Sequence, residues 1–327
     1  MTSRPASNWS AQARQMLLAM ASLLALVLVF SLLKPEAFMT TDNLIGVLQS
    51  TTVIGVLAIA STFVIVTGGI DLSVGVLMTF CAVTGGVVMA EWRAPLWLGV
   101  PATIGTGALC GALSGLAITR LRVPPFIATL GMMMLLKGLS LIITRTKPIY
   151  FSDVEGFDQI ALGSWIEIWL PSLPLPNGVL IFAAVAVISA VVLRKTVLGR
   201  YALAIGSNEE AVRLSGVNVS RWKVLIYGFA GGICGVAGLL IASRLNSAQP
   251  ALGQGYELDA IAAVVIGGTS LSGGVGSLLG TVIGAFIMSV LINGLRILSV
   301  AQEWQMVLTG AIIILAVYTD KLRRQQN

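Results

Sequence analysis

The sequence predicts an all-α integral membrane protein with about ten transmembrane helices, an internal two-fold repeat, and helices broken at GGIDLS and GGTSLS. Three observations carry this prediction. Hydrophobic residues make up 56% of the 327-residue chain and charged residues only 10%, against about 25% charged in soluble domains. Apolar runs near the roughly 20 residues that a helical span requires recur from end to end, too many for one soluble core. Finally, residues 66–75, VTGGIDLSVG, have an echo at residues 265–274, VIGGTSLSGG.

The elements follow in order. Residues 1–14 form a short basic arm with Arg4 and Arg14 and no small-x-small cleavage pattern, so the first span is expected to stay attached. Apolar stretches then place spans at 15–33, 44–67, 73–90, 96–118, 126–144, 178–193, 222–243, 257–268, 275–297 and 303–320. The whole chain, 1–327, reads as one transmembrane domain: an N-terminal half at 15–192, a loop at 193–223 and a C-terminal half at 222–320.

Orientation comes from Lys and Arg, which collect in cytoplasmic loops. Arg120 and Arg122; Arg194, Lys195, Arg200, Arg213, Arg221 and Lys223; and Lys321, Arg323 and Arg324, with Arg4 and Arg14, account for 13 of the 20 basic residues. Of the 14 acidic residues, only Glu209, Glu210 and Asp320 lie with them. Segment 145–177 instead carries Asp153, Glu155, Asp158 and Glu167 and is expected outside. Both termini are then cytoplasmic. The net charge of +6 records this orientation and gives no face for nucleic acid.

Several chemistries are excluded. Histidine is absent, which removes imidazole acid–base catalysis and His metal sites. Cys81, Cys110 and Cys234 all fall in apolar spans without metal spacing and read as small packing residues. No Gly-x-x-x-x-Gly-Lys-Ser/Thr phosphate loop exists, so the chain does not itself hydrolyse nucleotide. No metal site or catalytic residue is expected.

The repeat locates the candidate path. Gly68/Gly267, Gly69/Gly268, Leu72/Leu271, Ser73/Ser272 and Gly75/Gly274 align at an offset of 199 residues. Irregular backbone at membrane depth is tolerated only where it is buried in protein or faces water, and Gly-interrupted segments paired between two halves point to a transport path. The expected path residues are Gln49, Gly68, Gly69, Asp71, Ser73, Gly267, Gly268, Ser270 and Ser272. Two compatible roles are open to Asp71: capping a helix that starts at Leu72 or Ser73, and contact with the solute. Ser270 at the equivalent place fits capping better than charge chemistry. Gly107-x-x-x-Gly111-x-x-x-Gly115, Gly228-x-x-x-Gly232 and Gly276-x-x-x-Gly280-x-x-x-Gly284 read as close-packing ridges. Lys137, within a span, is read as snorkelling to the outer surface.

In the loop 193–223, Ser207-Asn208-Glu209-Glu210 has the form of a capping box. Ala211, Val212, Arg213 and Leu214 continue a helix of about two turns that Gly216 stops. Val212 and Leu214 would be its apolar contacts. Such a helix on the cytoplasmic surface is either a strut or a docking element.

The segments GGIDLSVG, GRYALAIGSNEEAVRLSGVNV, AVVIGGTSLSGGVGSLLGTVIGA, FMTTDNL and RVPPFIATLGMM resemble the ribose-type sugar permeases of bacterial ATP-binding-cassette importers over roughly residues 35–320. The resemblance implies an inner-membrane subunit that pairs with a second copy or a homologous sister permease. It implies a cytoplasmic ATPase partner that holds ATP and Mg, with no cofactor on this chain, and a periplasmic sugar-binding protein. It assigns Ser207–Gly216 as the coupling helix, with Glu209, Glu210 and Arg213 as polar contacts to the ATPase. It suggests Arg93, Arg145, Lys147 and Arg244 for docking of the binding protein. Alternatives are a non-sugar solute such as a nucleoside, polyol or autoinducer, an ion-coupled secondary transporter for which Asp71 would be the strong coupling carboxylate, and an integral-membrane enzyme, for which no constellation is present.

Overall fold

A computed structural model of the protein describes residues 7–168 and 175–325. Arg4, and residues 169–174 of the expected outer segment, lie outside the described residues. Helix α1 (Ser7–Leu33) and the one-turn α2 (Pro35–Phe38) lead to α3 (Thr41–Ile65), whose start is capped by the Thr40 hydroxyl accepting the Asn43 N–H. Helix α4 (Val74–Gly86) runs on through a π turn at Val87–Glu91. Helices α5 (Leu96–Arg120) and α6 (Pro125–Thr144) follow, α6 with proline at its first position, where a missing N–H costs nothing.

A folded segment joins α6 to α7 (Asn177–Lys195). Within it the two-residue strand β1 (Ile149–Tyr150) pairs antiparallel with β2 (Ser247–Ala248), Ile149 facing Ala248. The Ser243 hydroxyl pins the segment down by donating to the Phe157 carbonyl (2.7 Å) and accepting the Ala161 N–H (2.9 Å), beneath the stacked rings of Phe151 and Phe157. Helices α8 (Val197–Ser207) and α9 (Glu209–Leu214) cross one face, and α10 (Val219–Leu245) returns to β2. The chain closes with α11 (Tyr256–Ile266), α12 (Leu278–Ile297) and α13 (Gln302–Gln325).

Among the described residues, eight helices are long and apolar enough to cross a membrane: α1, α3, α4 with its π turn, α5, α6, α7, α10 and α12. Their bounds fall close to the expected spans. The expected span at 257–268 is α11, whose 11 residues rise about 16 Å, about half the hydrocarbon thickness. Helices α3, α4, α10 and α12 are mostly buried, while α1, α5, α6 and α7 turn apolar side chains such as Leu17, Leu109, Leu135 and Val187 outward. Helix α3 is apolar on every side and buried from Thr51 to Ile65, as a helix at the centre of a bundle requires.

Close backbone approach organises this centre. Gly107 and Gly111 of α5 lie directly against the backbone of Gly231 and Tyr227 of α10. The ridge that α10 uses is therefore Gly231 and Gly235, where the sequence suggested Gly228 and Gly232; Gly228 and Gly232 retain ordinary clearance. In the third ridge, Gly280 and Gly284 of α12 press on Gly267 and Ala263, whereas Gly276 precedes the helix and meets the Val66 side chain.

Candidate functional site

The two Gly-Gly segments adopt related conformations. Helix α3 ends with the Gly68 N–H on the Ile65 carbonyl (2.9 Å) and the Gly69 N–H on the Val64 carbonyl (3.3 Å). Helix α11 ends the same way, with Gly268 on Val265 (2.9 Å) and Thr269 on Val264 (3.1 Å). In each, one glycine of the pair takes the left-handed conformation this cap demands, φ +81° at Gly68 and +91° at Gly268.

Next comes a polar turn. The Asp71 carboxylate accepts both the Ser73 N–H (2.7 Å) and the Ser73 hydroxyl (2.6 Å). At the offset of 199, the Ser270 hydroxyl accepts the Ser272 N–H (3.2 Å). The expectation that Asp71 caps a helix starting at Leu72 or Ser73 is thus corrected in detail: α4 starts at Val74, and Asp71 closes the turn before it. The second segment is longer and enters α12 through the Ser277 hydroxyl, which accepts the Gly280 N–H (3.2 Å). Asp71 is 5% exposed, so its carboxyl group is secluded within this turn.

The segments meet each other and α8. The Gly274 N–H donates to the Val66 carbonyl (2.9 Å), and Gly68 faces the Ser272 carbonyl. Gly206, in the last turn of α8, lies so close to the Val66 carbonyl and the Gly274 N–H that a Cβ there would overlap both. From α6, Thr129 clasps the first segment, its hydroxyl accepting the Leu72 N–H (3.2 Å) and lying within hydrogen-bond reach of the Ile70 carbonyl (3.2 Å). Gly68, Gly69, Asp71, Ser73, Gly267, Gly268, Ser270 and Ser272 therefore form one cluster. Gln49 is not in it; it lies towards the other end of α3, half-buried.

Sequence reasoning missed α8. Its Gly199, Ala202 and Ile205 are buried while Arg200 is exposed, and the Tyr201 ring packs on Trp222 of α10, with centroids 4.7 Å apart. In VLGRYALAIGS the buried positions recur at helical spacing, within the segment expected to be a loop. A second correction concerns the cap of α9. Asn208, not Ser207, is the capping residue, its side chain accepting the Ala211 N–H (2.9 Å); Ser207 completes α8.

Glu209, the first residue of α9, makes both ion pairs found among the described residues. It bonds Arg213 (2.8 Å) and Lys223 of α10 (2.7 Å), which braces α9 against the bundle. Burial alone would raise the Glu209 carboxyl, but hydrogen bonds and charge from Lys223 and Arg213 hold it below the ordinary glutamate range. Glu210, Ala211, Arg213 and Leu214 remain exposed, Leu214 at 82%, Val212 is half-buried, and Gly216 stops the helix at φ +82°.

At the other end of the bundle, Arg93, Arg145 and Lys147 are exposed on loops, while Arg244 is half-buried at the end of α10. Lys137 reaches the loop before α11, where its Nζ donates to Gln254 Oε1 (2.7 Å) in an exposed hydrogen bond. Arg244 lines a cavity of about 510 Å³ with Tyr256, Asp259 and Arg296, residues that sequence reasoning did not single out. The available signal was the run Tyr-Glu-Leu-Asp at 256–259, two carboxylates opening an apolar segment.

Over residues 43–317 the chain matches the family described as branched-chain amino acid transport system permease component. It is 43% identical over 304 residues to the ribose import permease protein RbsC of Escherichia coli (strain K12), covering 93% of this chain and 92% of that protein. It is 35% identical to the fructose import permease protein FrcC of Rhizobium meliloti, covering 91% and 83%. It is 33% identical to the xylose transport system permease protein XylH of Escherichia coli (strain K12), covering 96% and 93%. No solved structure matches the chain.

Proposed function

The chain belongs to the family of branched-chain amino acid transport system permease components, and on that premise we propose that it is the membrane subunit of an ATP-binding-cassette importer for a monosaccharide. It is a multi-pass protein of the inner membrane. Two permeases, either two copies of this chain or one with a sister permease, enclose the path. A periplasmic binding protein delivers the sugar, and a cytoplasmic ATPase carrying ATP and Mg drives the cycle. Arg93, Arg145 and Lys147 are offered to the binding protein.

The face bearing α9 is cytoplasmic on this reading. It carries Arg120, Arg122, Arg194, Lys195, Arg200, Arg213, Arg221 and Lys223 against Glu209 and Glu210. Counting α11 as a half-membrane helix and α13 as the last crossing gives ten passes, both termini inside. The two Gly-Gly segments are then the corresponding breaks of a duplicated unit.

The observation that carries the proposal is the backbone junction of Val66, Gly274 and Gly206. An ATPase that pushes on the exposed side of α9 moves α8, because the two helices join at Asn208, whose N–H donates to the Ala204 carbonyl of α8 (3.0 Å) while its side chain caps α9. The end of α8 bears on both Gly-Gly segments at once. A hard backbone contact transmits displacement without slack, since close-packed interiors do not deform continuously. The turn at Asp71 keeps the first segment rigid while it moves. Asp71 thereby has a structural role, and a neutral sugar requires no counter-charge from it.

The test is uptake into proteoliposomes that hold this chain, its cognate ATPase and the binding protein. The proposal expects accumulation of labelled ribose, fructose or xylose that depends on ATP and on the binding protein. Uptake driven by an ion gradient without ATPase would overturn it.

A further inference from the structure

The cavity at the outer end lies between α3, α11, α12 and α13 and measures about 510 Å³. Ser289, Asn293 and Arg296 line it at i, i+4 and i+7, which puts them on one face of α12. Tyr256 and Asp259 line it from α11, one turn apart, and Arg244 from the end of α10.

Two buried groups on this wall are left without partners. Ser289 is 2% exposed, and its hydroxyl has no hydrogen-bond partner among the described residues. The Asn293 amide donates through Nδ2 to Asn43 Oδ1 (2.9 Å), yet its own Oδ1 is buried and unpartnered. Buried polar atoms in folded proteins are nearly always satisfied, so two exceptions on one cavity wall call for an explanation. Among the described residues, Arg244, Arg296 and Asp259 also form no ion pair, although all three line the same cavity.

We infer that this cavity is a binding site for one neutral monosaccharide in transit, held by Ser289, Asn293, Asp259, Arg296, Arg244 and the ring of Tyr256. This rests on the reading of the chain as a sugar permease. The charge pattern selects the ligand class. Two guanidinium groups alone would suit an anion, but the Asp259 carboxylate stands in the same wall. An anion therefore meets a repulsive carboxylate and a cation meets two repulsive guanidinium groups, whereas a neutral ligand meets neither penalty.

A polyhydroxylated ligand uses both signs: a carboxylate accepts from hydroxyls, and guanidinium donates to them. The unpartnered Asn293 Oδ1 and Ser289 Oγ accept two further hydroxyl hydrogens. The tyrosine ring offers an apolar face to the sugar's C–H surface. The volume lies within the usual range for small-molecule sites.

The assembled importer in nanodiscs tests this, with no binding protein present, by saturation-transfer difference NMR with D-ribose and with ribose 5-phosphate as the anionic probe. Ribose uptake into proteoliposomes is measured in parallel. Wild type is expected to give a saturable ribose signal. Asp259→Asn and Asn293→Leu are expected to lose that signal and about tenfold or more of the uptake, while ATPase stimulation by loaded binding protein persists. Ser289→Ala, a one-atom change, reports should either variant fail to assemble. Full uptake and ribose signal in all assembled variants overturns the site and leaves the importer standing. Saturation by ribose 5-phosphate in place of ribose overturns the neutral class. Absence of ATP-driven uptake of any sugar by wild type overturns the importer reading, and the transit role falls with it.

Discussion

Gly206→Ala is the substitution that bears most directly on how the protein would work. The added methyl group overlaps the Val66 carbonyl and the Gly274 N–H, the two ends of a 2.9 Å hydrogen bond. If nothing moved, the loss of that bond with its groups still buried would cost about 1–3 kcal/mol, and overpacking another 1–3 kcal/mol. Replacing glycine by alanine inside α8 returns about 1 kcal/mol of helix propensity. The net is about 1–5 kcal/mol, less than the usual stability of a folded domain. We therefore expect the chain to fold, with α8 lifted off the two Gly-Gly segments. In nanodiscs with the ATPase and binding protein, the thermal midpoint should fall modestly. Stimulation of ATPase by loaded binding protein and sugar uptake should each fall about tenfold or more, which 1.4 kcal/mol of lost coupling suffices to produce. Gly131→Ala on α6, where the added atom meets nothing within 4 Å, is the control and should behave as wild type. Wild-type coupling in folded Gly206→Ala would refute transmission through this junction.

Other outcomes follow from the same geometry. Asp71→Asn keeps an oxygen to accept the Ser73 N–H and should retain most uptake, whereas Asp71→Ala leaves that donor buried and should lose about 1–3 kcal/mol of stability, read as a lower thermal midpoint. Leu214→Asp and Glu210→Lys, on the exposed side of α9, should weaken co-purification of the ATPase while leaving the thermal midpoint unchanged. The Glu209 brace is a pH-dependent device: because its carboxyl sits below the ordinary glutamate range, its contribution is full above the unfolded value and lost as pH falls through the folded one. Hydrogen exchange in α9 should therefore stay slow at pH 6 and accelerate only below the ordinary glutamate value of about 4.3, and Lys223→Met should accelerate it already at neutral pH. Gly111→Leu should abolish folded protein, since α5 and α10 approach there backbone to backbone.

Much of the bundle was legible because lipid imposes one rule on every span: apolar side chains and an internally bonded backbone. The helix bounds at 96, 125 and 177 follow from Pro95, Pro124–Pro125 and Pro176, which cannot continue a preceding helix. The Gly-Gly segments were legible for the same reason, since paired glycines amid apolar residues have few uses. The cap of α9 was not, because Ser207 and Asn208 are both good capping residues and only the continuation of α8 through Ser207 decides between them. Helix α8 escaped because two of the three residues on its buried face, Gly199 and Ala202, carry little hydrophobic signal, leaving Ile205 alone to mark that face. The outer cavity escaped because Arg244, Asp259 and Arg296 are far apart in sequence and converge only when α10, α11 and α12 pack.

The central claim is that this chain couples ATP hydrolysis on a partner to passage of a sugar. The most direct measurement is ATPase activity in nanodiscs holding this chain, its cognate ATPase and the binding protein, across a panel of pentoses and hexoses. The account predicts that one sugar-loaded binding protein stimulates hydrolysis, and that Gly206→Ala removes the stimulation while basal activity remains. A chain that never associates with an ATPase, yet moves solute in response to an ion gradient, would contradict it.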